Sequence, residues 1–218
     1  MSEKTLEKNL VNNNFSDILD NRKSYRKFKK DEKISHKEML DMINEAMRAP
    51  SACNLQAWRL IVVDTEKGRK KLASTLMPFN KPQYQTAPAM ILIFGNTNAF
   101  KKYRDLWNKS YQKGNVTKEM RDAAIKTFLP VYEKASKQFL VDDAKVDGSL
   151  LAMQLMLIAR AHGYETNPIA GYNADKMADT FGLDKNQYVP VMALAIGKPD
   201  QEAKSPLRYS ADSLVSFQ

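Results

Sequence analysis

The chain is predicted to fold as α+β, with a sheet sandwiched by helices. Three observations carry this. Short, nearly continuous apolar runs at residues 60–63, 89–94 and 189–196 have the β-branched content and length of buried strands. Segments with helical spacing fill most of the remaining chain, more than a regular strand–helix alternation needs. No composition break or internal repeat divides the 218 residues, so a single domain is expected from residue 15 to residue 218.

Taken in order, residues 1–14 are polar and Asn-rich and read as a flexible arm before a short helix at 15–20. Ser35 is the N-cap of the next helix, and Glu38 three residues on completes a capping box. Met39, Met42, Ile43, Ala46 and Met47 then share one face, and Pro50 stops the helix. After the strands at 60–63 and 89–94 come two amphipathic helices, 98–113 and 117–139. Pro130 is expected to kink or split the second. Residues 149–162 differ: Leu150, Leu151, Met153, Leu155, Met156, Leu157 and Ile158 leave almost no polar face. Such a helix is expected to be buried nearly all round, in a large core or a subunit interface. Gly163 ends it as a C′ glycine. A weaker strand lies at 164–169, Asn173 caps a short helix that Gly182 closes, and Gly197 ends the last strand.

A hydrophobic fraction of 43% supplies a core, and 27% charged residues make an ordinary surface. No apolar leader follows the N-terminus, and no run approaches the roughly 20 residues of a membrane span. The one cysteine, Cys53, has no internal disulfide partner, which fits a reducing compartment and a cytoplasmic location. The net charge of +9 suits phosphate-bearing small molecules as well as polynucleotides, but no nucleic-acid motif accompanies it. His36 and His162 have no metal-ligand spacing, and no metal site is expected.

Two segments carry chemistry. Arg22, Lys23, Ser24 and Arg26 surround a hydroxyl with cations. A basic run alone is ordinarily a solvated face. Here no glycine-rich phosphate loop exists anywhere in the chain, so a bound phosphate would need guanidinium forks and a hydroxyl. The second segment presents Ser51, Asn54 and Gln56 between Pro50 and Trp58, a run of polar tips bracketed by two rigid residues. Cys53 lies among them, but no motif places a histidine to activate it, and it reads as a filler.

Arg22-x-Ser24-x-Arg26 followed by Ala49-Pro50-Ser51-x-x-Asn54-x-Gln56-x-Trp58 resembles the FMN-dependent nitroreductase family. The resemblance runs from about residue 15 to residue 208. It implies a central mixed sheet sandwiched by helices in an interlocked homodimer, with residues near 150–161 as the dimer core. It also implies tightly but non-covalently bound FMN. Arg22, Lys23 and Ser24 would hold the phosphate and ribityl chain, beside Arg26. Pro50, Ser51, Ala52, Asn54 and Gln56, presented by the neighbouring subunit, would meet the ring and ribityl hydroxyls.

Asn80 and Gln83 match a family Asn-x-x-Lys at the pyrimidine edge, with Gln83 in place of lysine. Asn167-Pro168-Ile169-Ala170-Gly171-Tyr172 resembles the family loop whose backbone N–H groups approach N5 and O4, which nominates Pro168, Ile169, Ala170 and Gly171. Arg208, with Lys204 as an auxiliary cation, would close the phosphate site. The implied activity passes hydride from NAD(P)H, as co-substrate, through flavin to nitroaromatic, quinone or similar small-molecule acceptors by ping-pong kinetics. No protein acid, base or nucleophile is nominated. The alternatives are a same-fold flavoenzyme of different reaction, such as dehydrogenation or reductive dehalogenation, and a non-enzymatic flavin binder. The region 100–138 would cap the acceptor site, where Tyr103, Trp107 and Tyr111 fit either ring stacking or helix packing.

Overall fold

The computed structural model describes residues 10–218. Among them are eight α-helices and a four-stranded sheet, in the order α1 (Phe15–Asp20), α2 (His36–Ala46), β1 (Trp58–Val63), α3 (Glu66–Ala73), α4 (Lys81–Thr86), β2 (Ala89–Asn96), α5 (Tyr103–Gln112), α6 (Lys118–Glu133), α7 (Lys137–Ala161), β3 (Glu165–Ile169), α8 (Ala174–Thr180) and β4 (Tyr188–Gly197). The sheet runs β1-β2-β4-β3, and every strand pair is antiparallel. The mixed character expected of it is confined to an isolated parallel bridge between Ser24 and Thr166.

The apolar runs are strands because both of their faces are covered. Alternate side chains of a strand point to opposite faces. Ile91 and Ile93 of β2, with Leu194 and Ile196 of β4, meet Met42 of α2 and Leu151, Leu155 and Ala159 of α7. Met90, Leu92 and Phe94, with Ala193 and Ala195, meet Phe28, Leu72 of α3 and Met177 of α8. Each such fully buried Leu, Ile or Met side chain contributes roughly 1.5–3 kcal/mol, so β2 and β4 form the centre of both cores.

The caps follow the sequence. Ser35 accepts from the Glu38 N–H at 3.1 Å, yet the Glu38 carboxylate accepts from the Tyr164 hydroxyl at 2.8 Å, and the expected box is half made. Gly163 adopts φ +77 and ends α7; Gly182 adopts φ +73 after α8. α3, capped by Thr65, was not foreseen, because its charged sequence buries only Leu72. Pro130 does not split α6. It sits in the last turn, where its missing N–H forfeits a single bond to the carbonyl four residues earlier, and the helix runs on to Glu133. The break comes at Ser136, whose hydroxyl caps α7 by accepting from the Phe139 N–H.

α7 is therefore 25 residues long, twelve residues earlier in its start than the apolar run showed. It is not buried all round in one chain. Leu151, Ala152, Leu155 and Ala159 face the sheet, while Phe139, Val146, Leu150 and Met153 form an exposed stripe. Two glycines set its depth. A β-carbon on Gly95 of β2 would lie 2.9 Å from Ala144 of α7, and one on Gly148 of α7 would lie 2.9 Å from Val191 of β4. Of the N-terminal arm, residues 1–9 fall outside the described residues; Val11 and Asn12 donate to the Ala161 carbonyl at 2.9 and 3.0 Å.

Candidate active site

The turn before β1 holds the polar tips. Cys53, Asn54 and Gln56 all have positive φ, at 49, 56 and 50, without a glycine among them. Each such residue costs on the order of 1–3 kcal/mol, so the surroundings must hold the shape. Ser51 Oγ accepts from the Gln56 N–H at 3.0 Å, and the Asn54 N–H donates to the Ser51 carbonyl at 3.0 Å. From below, Asp147 of α7 accepts from the Ala52 N–H at 2.9 Å and from the Ala57 N–H at 3.2 Å. Asn54 and Gln56 are left exposed, with Pro50, and Ser51 and Ala52 half-buried.

A second group forms at the end of β3. Asn80 donates its side-chain amide to the Gly171 carbonyl at 2.8 Å, and the Met77 N–H donates to the same oxygen at 2.9 Å. A β-carbon on Gly171 would meet Asn80 Nδ2 at 2.6 Å and the Phe79 ring at 2.7 Å, so any larger residue must displace both side chains. Ile169 is buried in the core and offers only its backbone; Pro168 and Gly171 are half-buried, and Ala170 is exposed. Gln83, on α4 one turn from Asn80, is 4% exposed, and its side-chain Oε1 has no hydrogen-bond partner among the described residues.

The basic segment is tied to the other end of β3. Ser24 bridges Thr166, and the Tyr25 N–H donates to the Thr166 carbonyl at 3.0 Å. Arg22, Lys23 and Ser24 are half-buried and Arg26 is exposed. Burial raises the Glu165 carboxyl above its ordinary range, while Arg160 and, more weakly, Arg22 pull it back. Arg160 pairs with Glu165 in close contact and with Asp17 at 3.3 Å. Arg22 thus stands in the field of a carboxylate already paired to another guanidinium.

β3 accordingly joins Ser24 at one end to Gly171, and so to Asn80 and Gln83, at the other. The 50–57 turn leads into β1, at the opposite edge of the sheet. β2 and β4 lie between, which puts the two edges about 14 Å apart at ordinary strand spacing. The chain leading to Lys204 and Arg208 runs beside the basic segment, where the Asp200 N–H donates to the Lys27 carbonyl at 3.1 Å. Among the described residues, however, no hydrogen bond ties the side chain of Lys204 or Arg208 to Arg22, Lys23, Ser24 or Arg26. Both are exposed on a tail whose Leu207 and Phe217 are 94% and 96% accessible, and the Arg208 guanidinium donates only to the neighbouring Leu207 carbonyl among the described residues.

The capping region packs on itself. Tyr103 is buried edge-on to Trp107 at 6.0 Å, and the Arg121 guanidinium lies 4.8 Å over the Tyr111 ring. Helix packing accounts for Tyr103 and Trp107, while Tyr111 keeps 40% of its surface exposed. Beneath the 50–57 turn, burial raises the carboxyls of Asp143 and Asp147; hydrogen bonds from Tyr132 and from the two turn amides oppose it. Sequence reasoning missed Asp147. Its signal was an acid next to a glycine at the start of an apolar helical run. Among the described residues no three His, Cys, Asp or Glu side chains are placed to hold a metal ion, and no helix is long and apolar enough to cross a membrane.

An antiparallel sheet between two helical layers defines an α+β protein, with the basic segment at one edge of the sheet and the polar turn leading into the other. The chain belongs to the Nitroreductase family, whose model matches residues 19–198. It is 49% identical over 210 residues to the CLA biosynthesis enone reductase of Lactiplantibacillus plantarum, covering 96% of this chain and 97% of that protein. It is 40% identical to the Bacillus subtilis protein YdgI, named as an NAD(P)H nitroreductase, over 94% of this chain and 98% of the relative. Among solved structures, a nitroreductase-type protein from Exiguobacterium sibiricum in complex with FMN superposes with a TM-score of 0.91 at 38% identity, covering 95% of this chain and 98% of the other. The crystal structure of CLA-ER, an enone reductase of gut-bacterial fatty acid saturation, superposes with a TM-score of 0.89 at 48% identity, covering 95% and 99%.

Proposed function

We propose that the protein is an FMN-dependent oxidoreductase that takes reducing equivalents from NAD(P)H and delivers them to an electron-poor small molecule. The observation that carries this reading is the Gln83 side-chain oxygen, Oε1, unpartnered among the described residues beside the Asn80–Gly171 clasp. A buried polar atom without a partner costs about 1–3 kcal/mol, and a ligand with donors at its edge relieves that cost. The ring N–H of a flavin pyrimidine is such a donor.

Arg22, Lys23 and Ser24 would hold the phosphate, with Arg26 adding charge, and the backbone of residues 168–171 would face the ring. Bound flavin supplies hydride transfer between a nicotinamide and an acceptor. The chain's own part is to orient the ring, exclude water and offer polarity at its edge. Nicotinamide and acceptor would use one face in turn, which gives ping-pong kinetics.

The divided site supports a homodimer in which the 50–57 turn of one copy completes the β3 edge of the other. The exposed stripe Phe139, Val146, Leu150 and Met153 on α7 and the apolar tail residues Leu207, Leu214 and Phe217 supply the surface for it. Lys204 and Arg208 travel on that tail, so a partner's tail is their route to the phosphate.

Two acceptor classes are supported. Nitroaromatics and quinones follow from the family, and the enone reductase relative favours an α,β-unsaturated carbonyl. Anaerobic mixing of the purified protein with NADH or NADPH, then with each acceptor class, tests the reading. Bleaching of a yellow protein and its return with one class supports it. A protein that stays colourless after incubation with FMN overturns it.

A further inference from the structure

We infer that Asp147 is a positioning residue, whose buried carboxylate locks the strained 52–57 turn so that Ser51, Asn54 and Gln56 are presented to the cofactor; this rests on the FMN reading above. The Asp147 side chain is fully buried, 90 residues or more from the amides it accepts, and it takes the first and last free N–H of the turn. Three left-handed residues without glycine do not hold this shape unaided.

The carboxylate is itself fixed. Gly95 against Ala144 and Gly148 against Val191 bring α7 close onto β2 and β4 at positions flanking Asp147 in sequence. The Ala57 carbonyl, at the end of the turn, accepts from the Asn96 N–H at 2.9 Å, so the turn is pinned from the sheet as well as from the helix. Asparagine at 147 keeps one acceptor and turns an N–H toward the second amide; alanine keeps none.

The test uses Asp147→Asn and Asp147→Ala in the full-length protein. FMN affinity is read from free-flavin fluorescence, ring environment from visible circular dichroism, and amide exchange of residues 51–57 from the protein with and without flavin. The expected result is a graded weakening of FMN binding, about tenfold for Asn and more for Ala, as the loss of one and then two buried acceptors implies. An altered visible dichroism and faster exchange confined to 51–57 should accompany it. Leu72→Ala, which opens a cavity in the opposite core, serves as the control for general destabilisation and should leave FMN affinity within about threefold.

Wild-type FMN affinity and unchanged dichroism in Asp147→Asn would overturn the assignment. Should that variant fail to fold, the wild-type protein decides the matter. Slow exchange at the Ala52 and Ala57 amides relative to Asn54 supports the lock, and fast exchange at both removes it. The flavin-free exchange arm reads the lock even if the protein proves to bind no FMN, so the two readings fail separately.

Discussion

Asn80 and Gly171, 91 residues apart in sequence, are joined by a 2.8 Å hydrogen bond in a space so tight that a β-carbon on Gly171 would lie 2.6 Å from the Asn80 nitrogen. Gly171→Ala must therefore push Asn80 and Phe79 away. Overpacking of this kind costs roughly 1–3 kcal/mol. The expected result is a lower melting temperature together with weaker FMN binding, read by thermal unfolding and by flavin fluorescence. Unchanged values for both would show that the clasp relaxes freely.

Arg22→Ala removes a half-buried arginine two residues before the Ser24–Thr166 bridge. Charge-assisted hydrogen bonds contribute about 1.5–3 kcal/mol each, so FMN affinity is expected to fall by roughly 10- to 100-fold. The apo protein should keep its far-ultraviolet dichroism. Tight FMN binding by this variant would remove the phosphate assignment.

Gln83→Lys places an ammonium where a neutral amide stands. Reduced flavin is the more negative state, and a positive charge beside it favours reduction. The midpoint potential should rise by ~30 mV for each tenfold shift in the two-electron equilibrium. Spectroelectrochemical titration measures it; an unmoved potential would place Gln83 away from the ring.

Leu155, in the apolar run of α7, is fully buried against its own sheet, whereas Met153 is 38% exposed on the outward stripe. Met153→Glu is therefore the substitution that probes self-association. It should yield a stable monomer in analytical ultracentrifugation, with flavin lost at the same step. Leu155→Glu should instead unfold the chain, since it buries an unpaired charge. A dimeric, yellow Met153→Glu protein would contradict the proposed interface.

Asp143 supplies a pH test. Burial raises its carboxyl above the ordinary 3.8, against the hydrogen bond from Tyr132. A raised acid binds its proton more tightly folded than unfolded, so its contribution to stability is greatest at low pH and declines as pH rises through the folded value. The melting temperature of the wild type minus that of Asp143→Asn should fall from pH 4 upward and then level off. A difference that grew with pH would reverse the sign and refute the burial argument.

Much of the fold was legible because its signals are local. The Ser35 and Asn173 caps, the C′ role of Gly163 and the strand runs of β1, β2 and β4 each follow from a few adjacent residues, and the structure has them where the sequence put them. The start of α7 was not legible: its first half is polar and contains Gly148, so only the apolar half announced itself. The basic segment touches β3 near its start, through Ser24 and Thr166, and Asn80 holds the loop after its end, through Gly171; no local pattern announced either contact. Asp147 escaped notice because its role depends on packing α7 against a turn 90 residues earlier, which no periodicity encodes.

Positions 95 and 148 are brittle for a reason separate from ligand chemistry. Every single-nucleotide missense change of a glycine codon introduces a side chain, and at either position its first carbon would collide with the facing chain at 2.9 Å. A saturation scan scored on activity would therefore flag both as if they belonged to the reaction. The distinguishing mark would be temperature: such variants should regain activity in the cold, where the displaced helix still docks, while losses at Arg22 should persist at every temperature.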